Sequence, residues 1–290
     1  MIRRPGLVLL TVALASGACT LDPPGVGALY SVRGLESPEA VRFDPDQDVW
    51  FVSNFNGAQS GDSNGFISRV AADGKVEHLR FMVGTLAPLH APRGLFITGD
   101  TLWAADADGV HGFDRKSGVH IAFVDFRPFD PGFLNDIAQG PDGALYVTDT
   151  GDRHPRVFRF AGGDVSVAIE DSTLGPPNGI TWDPDHGRFF LAGWGSGGAV
   201  RTWRPGSAQL QTFGLAHTGR FDGIEIVGAA ILVASQADSS IHEISGGIER
   251  VLIRVAGKPG DIGVDLGRRR IAVPYLDLNR VDVWELPAFP

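Results

Sequence analysis

One unit, repeated six times along the chain, constrains the fold more than any other feature of the sequence. Each unit opens on a small or polar position, runs into a short strand, turns at Asp, Gly or Pro, and continues into a second, more apolar strand. Counted from the opening position, the units begin 54, 42, 43, 44 and 38 residues apart. The units read PEAVRFDPDQDVWFVSN, PRGLFITGDTLWAAD, LNDIAQGPDGALYVTD, PNGITWDPDHGRFFLAG, FDGIEIVGAAILVASQ and PGDIGVDLGRRRIAVP. Periods of about 40 to 50 residues with paired strands are typical of propeller blades.

Further apolar alternations follow each strand pair and supply a third and a fourth strand. The sequence therefore predicts an all-β chain in which residues 19–290 form one domain, a six-bladed β-propeller with four-stranded blades. The segment GALYSVRG, from Gly27, has strand character, and we expect it to pair with RVDVWEL near the C-terminus. This pairing closes the ring, whereas an open ring would expose an edge strand. A β-sandwich or a two-domain β-protein is the alternative, and the even spacing argues against it.

The composition narrows the classes of partner and of site. The chain has 39 Gly and 19 Pro, which interrupt the apolar runs and disfavour long helices. A net charge of −9 argues against a nucleic-acid partner, because phosphate binding needs a basic surface. A single cysteine excludes an internal disulfide and a Cys-rich zinc site. We therefore expect a small-molecule substrate as the partner, and the sequence indicates no oligomeric state.

The first 18 residues have the pattern of a signal peptide. Arg3 and Arg4 precede an apolar run of about ten residues, which is followed by small residues and by Cys19. This run is too short for a bilayer span, which needs about 20 residues. The residues before Cys19 resemble a bacterial lipobox, except that Ser16 stands where a large aliphatic residue is usual. Two interpretations remain, lipid attachment at Cys19 or ordinary cleavage nearby, and both predict an exported protein, periplasmic or lipid-anchored to the bacterial envelope.

The opening positions of the six units are predicted to meet at one mouth of the propeller. The first strand of every blade lines the central channel, so equivalent positions form a ring. Glu39, Asn178 and Asp222 offer this ring two carboxylates and one amide oxygen. Hard divalent cations prefer all-oxygen ligands, and two negative charges match such an ion. The sequence therefore predicts a metal site at these three residues. The six positions are Glu39, Arg93, Asn135, Asn178, Asp222 and Gly260.

Several ring residues also allow a structural interpretation. The Asn-Gly and Asp-Gly pairs at Asn178 and Asp222 are strong turn signals, although each precedes its strand instead of joining two strands. Arg93 fits either an ion pair with the ring carboxylates or a contact with substrate oxygen. Asp136 and Asp261 fall one position later, and strand alternation turns them toward the neighbouring blade. Asp136 could still reach a ligand at the start of its strand.

These motifs resemble the regucalcin–gluconolactonase family of six-bladed propellers over roughly Gly34–Leu286. In that family the metal is held by a Glu in an E-[SG]-P-like opening, an Asn in an N-G strand start and an Asp in a P-D-G strand start. The resemblance implies that Glu39, Asn178 in PPNGITW and Asp222 in RFDGIEI bind one divalent metal ion, Ca²⁺ in the first place, with Zn²⁺, Mg²⁺ or Mn²⁺ as alternatives. It also places Asn135, in FLNDIA, at the site.

Two positions depart from the family pattern or leave it ambiguous. Glu36, in the sequence Glu-Ser-Pro, matches the opening motif of the family. However, Glu39 lies five residues before Asp44, the same distance at which Asn178 precedes Asp183, and this spacing favours Glu39 as the ligand. The sugar lactonases of the family have an arginine two residues before the N-D asparagine, where this chain has Phe133. This difference argues against sugar-acid lactones as substrates.

The sequence thus predicts an exported, metal-dependent hydrolase of the lactonase or esterase kind. Asp222 is the predicted catalytic residue, which accepts a proton from water. The alternatives are a non-catalytic, NHL-like propeller that binds a ligand, and a metal-free activity of the strictosidine-synthase or lyase kind. His217 and His90 lie on loops that lead to the mouth and are candidates for proton transfer. The predicted substrate-binding residues are Asn135, Arg93, Asp136 and His217.

Overall fold

The computed structural model describes residues 27–57, 62–151, 153–195, 198–214 and 219–289. The predicted signal peptide, Cys19 and His217 lie outside these ranges. Within the described residues the only helices are two 3-10 turns, Arg127–Phe129 and Ser172–Leu174. Neither of them is long and apolar enough to cross a membrane.

The described chain forms six antiparallel sheets of four strands each. The strands are β1 (Tyr30–Arg33), β2 (Pro38–Asp44), β3 (Val49–Asn54), β4 (Phe66–Ala71), β5 (Val76–Met82), β6 (Leu95–Thr98), β7 (Thr101–Ala105), β8 (Gly109–Asp114), β9 (His120–Asp125), β10 (Leu134–Gln139), β11 (Leu145–Asp149), β12 (Arg156–Ala161), β13 (Asp164–Glu170), β14 (Pro177–Asp183), β15 (Arg188–Gly193), β16 (Val200–Trp203), β17 (Leu210–Gly214), β18 (Phe221–Val227), β19 (Ala230–Ser235), β20 (Ser240–Ser245), β21 (Ile248–Arg254), β22 (Gly263–Asp265), β23 (Arg270–Tyr275) and β24 (Arg280–Glu285). Blades 1 to 5 are formed by consecutive groups of four strands from β2 to β21, and blade 6 consists of β22, β23, β24 and β1. The predicted six-bladed propeller is confirmed.

The ring closes through the N-terminal strand. In β1, Tyr30 pairs with Val283 and Arg33 pairs with Arg280 of β24, so that β1 is the fourth strand of blade 6. This is the pairing that the sequence predicts for the segment from Gly27. Closure leaves no blade with an incomplete sheet, and the sandwich and two-domain alternatives are excluded.

The core lies between the faces of neighbouring blades. One cluster joins Phe51 and Ile67 of blade 1 to Leu102 and Phe113 of blade 2, and all four side chains are fully buried. Further clusters join the other blades in the same way. Because apolar packing occurs between the sheets, the starts of the innermost strands are free to carry polar side chains into the channel.

Candidate functional site

The same irregularity occurs at the start of four innermost strands. In β2, β10, β14 and β18 the pairing with the second strand shifts register across two residues, which is the geometry of a β-bulge. A bulge interrupts the alternation of side chains and can aim one of them in a new direction. The residues between the last pair before the shift and the first pair after it are Glu39 and Ala40, Asn135 and Asp136, Asn178 and Gly179, and Asp222 and Gly223. The bulge thus falls on the predicted ring position in every one of these blades.

The glycines that follow two ring residues are required by the approach of the next blade. A Cβ on Gly179 would lie 2.3 Å from the carbonyl oxygen of Asp222, and a Cβ on Gly223 would lie 2.4 Å from the backbone nitrogen of Ile262. Neither distance can accommodate a side chain. The Asn-Gly and Asp-Gly pairs therefore lie within strands and not in turns, and their glycines allow close packing of the innermost strands.

Four ring side chains line one cavity of about 430 Å³. They are its most buried lining residues, and we call the part of the cavity that they form the floor. They are Glu39, Asn135, Asn178 and Asp222, each at most 5% exposed. In the described part of the chain, four side-chain oxygens of this floor have no hydrogen-bond partner. They are Oε2 of Glu39 and the Oδ1 atoms of Asn135, Asn178 and Asp222. Buried polar atoms are nearly always hydrogen-bonded, so four such oxygens at one place call for an explanation.

The electrostatics of this floor are those of carboxylates whose charge is balanced only in part, because the charge of the buried Arg93 lowers the pKa of Glu39 by less than burial raises it. Burial raises the pKa of Glu39 well above its usual value, and the nearby charge of Asp222 adds to the effect. Burial likewise raises the pKa of Asp222 to about 7, although a hydrogen bond from Gln236 opposes the shift. Two carboxylates and two amides, each with one oxygen that has no hydrogen-bond partner in the described structure, are the ligand types of a hard divalent cation. The residues present therefore fit a metal ion.

Of the two candidate glutamates, Glu39 alone lines this cavity. The side chain of Glu36 is 40% exposed, and Oε2 of Glu36 lies 3.2 Å from Nη2 of Arg80. Glu36 is thus part of a surface ion pair.

Two of the predicted substrate-binding residues do not line the cavity. Asp136 is buried between blades, where its carboxylate accepts hydrogen bonds from the backbone nitrogens of Ile137 (2.7 Å) and Ile180 (2.8 Å). Burial raises its pKa to about 7. The bond from Ile180 connects blade 4 to blade 3, so the carboxylate holds the two bulges side by side. A role of Asp136 in substrate binding stays a prediction.

Arg93 lies behind the cavity wall. It is 1% exposed, its guanidinium carbon lies 3.6 Å from the ring centre of Phe133 and 5.3 Å from that of Phe55, and its Nη1 donates to the carbonyl oxygen of Leu134 (3.1 Å). Both phenylalanines line the cavity, whereas Arg93 does not. The charge of Arg93 also lowers the pKa of Glu39, which agrees with the first of the two roles that the sequence allows, and a contact of Arg93 with substrate stays a prediction.

Most of the wall consists of residues that the ring pattern does not identify. Phe55, Thr150, Trp194, Gln236, Leu276 and Asp277 line the cavity together with Lys258 and Phe133. A signal for most of them is present in the sequence, because the first six follow the second strand of their blades, in the loops SNFNG, TDTGDRHP, GWGSGG, SQADSS and YLDLN. These loops occur at blade spacing, as the ring positions do, so the walls of the cavity repeat with the same period as its floor.

A second group of potential metal ligands lies in blade 2. Atoms of Asp106, Asp108 and His111 lie within 4.8 Å of one another, close enough to share an ion. The carboxylate of Asp106 also accepts hydrogen bonds from the backbone nitrogens of His90 (2.7 Å) and Ala91 (2.6 Å). It thereby holds the loop that leads to the innermost strand of the blade.

The hydrogen bonds around His120 assign the proton positions in this group. Burial lowers the pKa of His120 to about 4, and its Nδ1 accepts from the backbone nitrogens of Thr85 and Leu86 (3.0 Å each). Its proton is therefore on Nε2, which lies 2.9 Å from the carbonyl oxygen of Ala122 and 3.1 Å from Nδ1 of His111. The proton of His111 is then on Nε2, which faces Asp106 at 3.4 Å. This cluster has two buried ligand atoms without a hydrogen-bond partner in the described structure, Oδ1 of Asp108 and Nε2 of His111, whereas the ring has four oxygens, so the ring site fits a metal better.

Comparison with known proteins adds structural relatives only. No protein-family profile and no curated protein match the chain in sequence. Among solved structures the chain is similar to a gluconolactonase from Xanthomonas campestris, with a TM-score of 0.68 and 17% identity over 90% of this chain and 89% of that chain. It is also similar to a calcium-binding regucalcin from Agrobacterium tumefaciens, with a TM-score of 0.62 and 18% identity over 87% and 85% of the two chains. A third similar structure is virginiamycin B lyase from Staphylococcus aureus, with a TM-score of 0.60 and 14% identity over 89% and 99%.

The likeness is one of fold. Gluconolactonase and regucalcin are among the structural neighbours, so the resemblance that the sequence motifs indicate is confirmed at the level of the six-bladed propeller. At this identity the activity of a neighbour does not transfer to the chain.

Proposed function

We propose that this protein is an exported, divalent-metal-dependent hydrolase of lactones or esters. One observation carries the proposal: four buried side-chain oxygens without hydrogen-bond partners, two of them from carboxylates, form the floor of the cavity. The fold of a gluconolactonase and of a calcium-binding regucalcin supports it.

Glu39, Asn178 and Asp222 would hold the ion, and calcium is the first candidate because all three ligands are oxygens. When bound, such an ion supplies Lewis-acid polarisation of an ester carbonyl and makes water more acidic. The bulged strand starts position the three side chains without help from flexible loops, since each belongs to a different innermost strand.

Asp222 has the geometry of a proton acceptor. Its Oδ2 accepts a hydrogen bond from Nε2 of Gln236 (2.8 Å), which fixes the orientation of the carboxylate, and its Oδ1 has no hydrogen-bond partner within the described structure. Burial raises the pKa of Asp222 to about 7 in the metal-free site, and a bound ion would favour the ionised carboxylate, which is the form that accepts a proton. Asp222 would therefore remove the proton from the attacking water.

Asn135 is the predicted substrate-binding residue that the cavity contains. Its side chain is 3% exposed and lies at the floor beside the three proposed ligands, so its amide is placed to orient the substrate carbonyl. Arg93 would act through the wall, by holding Phe133 and Phe55 in place with its guanidinium group.

The deciding experiment is an activity screen of the purified protein against lactones and aryl esters, with and without chelator. We expect hydrolysis that chelation abolishes and that a divalent cation restores. Hydrolysis that is insensitive to chelation would contradict the metal dependence. If no lactone or ester is hydrolysed although the protein binds metal, the non-catalytic, ligand-binding propeller is the correct interpretation.

Export is a separate part of the proposal and rests on residues 1–18 and Cys19. We propose that the segment is removed and that the protein is periplasmic or lipid-anchored through Cys19, which would be its one link to a membrane. Intact-mass measurement of the protein from its native host tests this, because lipid attachment and plain cleavage give different masses. Retention of residues 1–18 on most molecules would contradict export.

A further inference from the structure

The walls of the cavity differ in chemistry from its floor. The floor carries the four polar ring side chains, but the walls include Phe55, Phe133, Trp194 and Leu276. These four come from blades 1, 3, 4 and 6, so apolar surface surrounds the floor on several sides. A substrate whose ester group reaches the floor must place the rest of its atoms against this carbon surface.

Arg93 occupies a ring position, but its side chain does not line the cavity, because Phe133 and Phe55 lie between them. Its guanidinium group stacks on Phe133 and lies behind Phe55, and its Nη1 is committed to the backbone carbonyl of Leu134. A stacked and buried guanidinium of this kind stabilises the aromatic rings. The rings thus present carbon, and not the charge of Arg93, to the interior.

Two polar side chains of the wall each donate a hydrogen bond within the protein. The hydroxyl of Thr150 donates to the carbonyl oxygen of Pro177 (2.8 Å), and the amide nitrogen of Gln236 donates to Asp222. Lys258 and Asp277 are exposed to solvent at the rim. A sugar lactone carries several hydroxyl groups, each of which loses hydrogen bonds to water on entering the site and needs a new partner. Among the described residues, the walls offer few such partners.

We infer that the lactone or ester taken by this site carries an aliphatic or aromatic group that packs on Phe55, Phe133, Trp194 and Leu276, and that it is not a polyhydroxylated sugar lactone. This inference rests on the proposed function, because it assumes that the ester group lies at the ring of polar side chains. Trp194 and Leu276 are then residues that determine specificity and take no part in the bond cleavage.

The test compares two lactones that differ only in an alkyl tail. With calcium-loaded protein, we expect kcat/KM for δ-undecalactone to exceed that for δ-valerolactone by about tenfold or more, because each buried methylene contributes about 0.8 kcal/mol to binding. Glucono-δ-lactone should be the poorest substrate of the three. Equal values for the two alkyl lactones, or a preference for glucono-δ-lactone, would overturn the inference.

Two variants locate the tail on the wall, and a third is the matched control. Trp194→Ala and Leu276→Gln should raise KM for δ-undecalactone about tenfold more than they raise KM for δ-valerolactone, since only the longer lactone has an alkyl tail that loses its contact with the wall. Leu266→Gln makes the same change as Leu276→Gln at a leucine that is 61% exposed, outside the cavity, and should change neither substrate. An equal loss for both lactones in the wall variants would contradict contact with the tail.

Failure of the inference can be separated from failure of the proposed function. If the screen finds no lactone or ester that is hydrolysed, the proposed function is wrong, and the inference is tested by calorimetric titration with the lactam that carries the same alkyl tail as δ-undecalactone. Tighter binding of the tailed lactam than of the unsubstituted lactam, abolished by Trp194→Ala, would support an apolar ligand for the cavity. Equal binding of the two lactams would overturn it.

Discussion

The two ends of the propeller channel are built from the same two strands but differ in how their charges are balanced. At the start of β2 and β18 stand Glu39 and Asp222, two buried carboxylates that each have one oxygen without a hydrogen-bond partner in the described structure. Three residues further along the same strands stand Arg42 and Glu225, whose side chains form an ion pair. At one end the protein thus supplies a direct ion pair, whereas at the other the buried charge of Arg93 offsets the two carboxylates only in part.

This difference indicates where the protein uses an external cation. Nη1 of Arg42 contacts Glu225, and its Nε donates to the carbonyl oxygen of Leu95 (2.7 Å), so the guanidinium group connects blades 1, 2 and 5. Burial of an unbalanced charge costs far more than burial of a paired one. The carboxylates of Glu39 and Asp222 therefore gain the most from a bound divalent ion, whereas the pair at the other end requires none.

The largest effect is expected from Asp222→Asn at the unbalanced end. Asparagine keeps the size of the side chain and one oxygen, but it cannot accept a proton from water. At saturating metal the variant should be folded and metal-loaded, with kcat lower by about 10²–10⁴-fold. Steady-state kinetics on the best ester or lactone is the measurement.

Asn178→Ala serves as the control for Asp222→Asn. It removes a proposed ligand and no proton acceptor, so excess metal should restore part of its activity. If Asp222→Asn reaches the wild-type rate at saturating metal, Asp222 is a ligand only and the proposed mechanism is wrong.

Removal of the ion should lower stability at the same end of the channel. A ligand that binds only the native state stabilises it by about 2.7 kcal/mol when its free concentration is 100 times the dissociation constant. The melting temperature should therefore fall on chelation and recover with calcium, magnesium, manganese or zinc. An unchanged melting temperature, together with no metal by elemental analysis, would argue for the ligand-binding alternative without an ion.

A smaller effect, on stability alone, is expected from Glu225→Gln at the balanced end. The substitution removes the charge that faces Arg42, and both side chains are largely buried, with 18% and 11% exposure. We expect a loss of about 2 kcal/mol in the free energy of unfolding, the usual contribution of a hydrogen bond to a charged group. Urea denaturation measures it. The shift on chelation should stay as in the wild type, and a reduced shift would show that the two ends are coupled.

The fold and the floor of the site could be predicted from sequence because both depend on the period of the repeats. Glu39, Asn178 and Asp222 stand at equivalent positions of their units, and equivalent positions of a closed ring meet at one mouth. The glycines after Asn178 and Asp222 could be located but not explained. Their reason is the approach of the next blade, which no local pattern contains.

The partners of individual side chains could not be predicted in this way. Arg42 and Glu225 are more than 180 residues apart, and their pairing depends on rotamers across the channel. Arg93 occupies a ring position, but its side chain turns behind Phe133 and away from the cavity. The period of the repeats sets the direction of strands, whereas packing of neighbouring side chains decides where a long side chain ends.

The smallest effect is the pH dependence of stability in the metal-free protein. Burial raises the pKa of Asp222 from 3.8 to about 7, so the folded state holds this proton over a range in which the unfolded chain has lost it. Because the native state binds more protons there, the free energy of unfolding falls as the pH rises from about 4 to about 7 and then levels off. Glu39, whose pKa is raised for the same reason, adds to the fall.

Urea denaturation at pH 5 and pH 8, with chelator and with calcium, measures this dependence. Calcium should reduce the fall, because the ion favours the ionised carboxylates at the floor of the cavity. Metal-free Asp222→Asn should fall less than the metal-free wild type, since asparagine does not titrate and all other acidic groups are shared by the two proteins. An identical dependence in both would mean that Asp222 ionises as readily in the folded state as in the unfolded one. The unbalanced end of the channel would then be neutralised by another group, and the contrast with Arg42 and Glu225 would be lost.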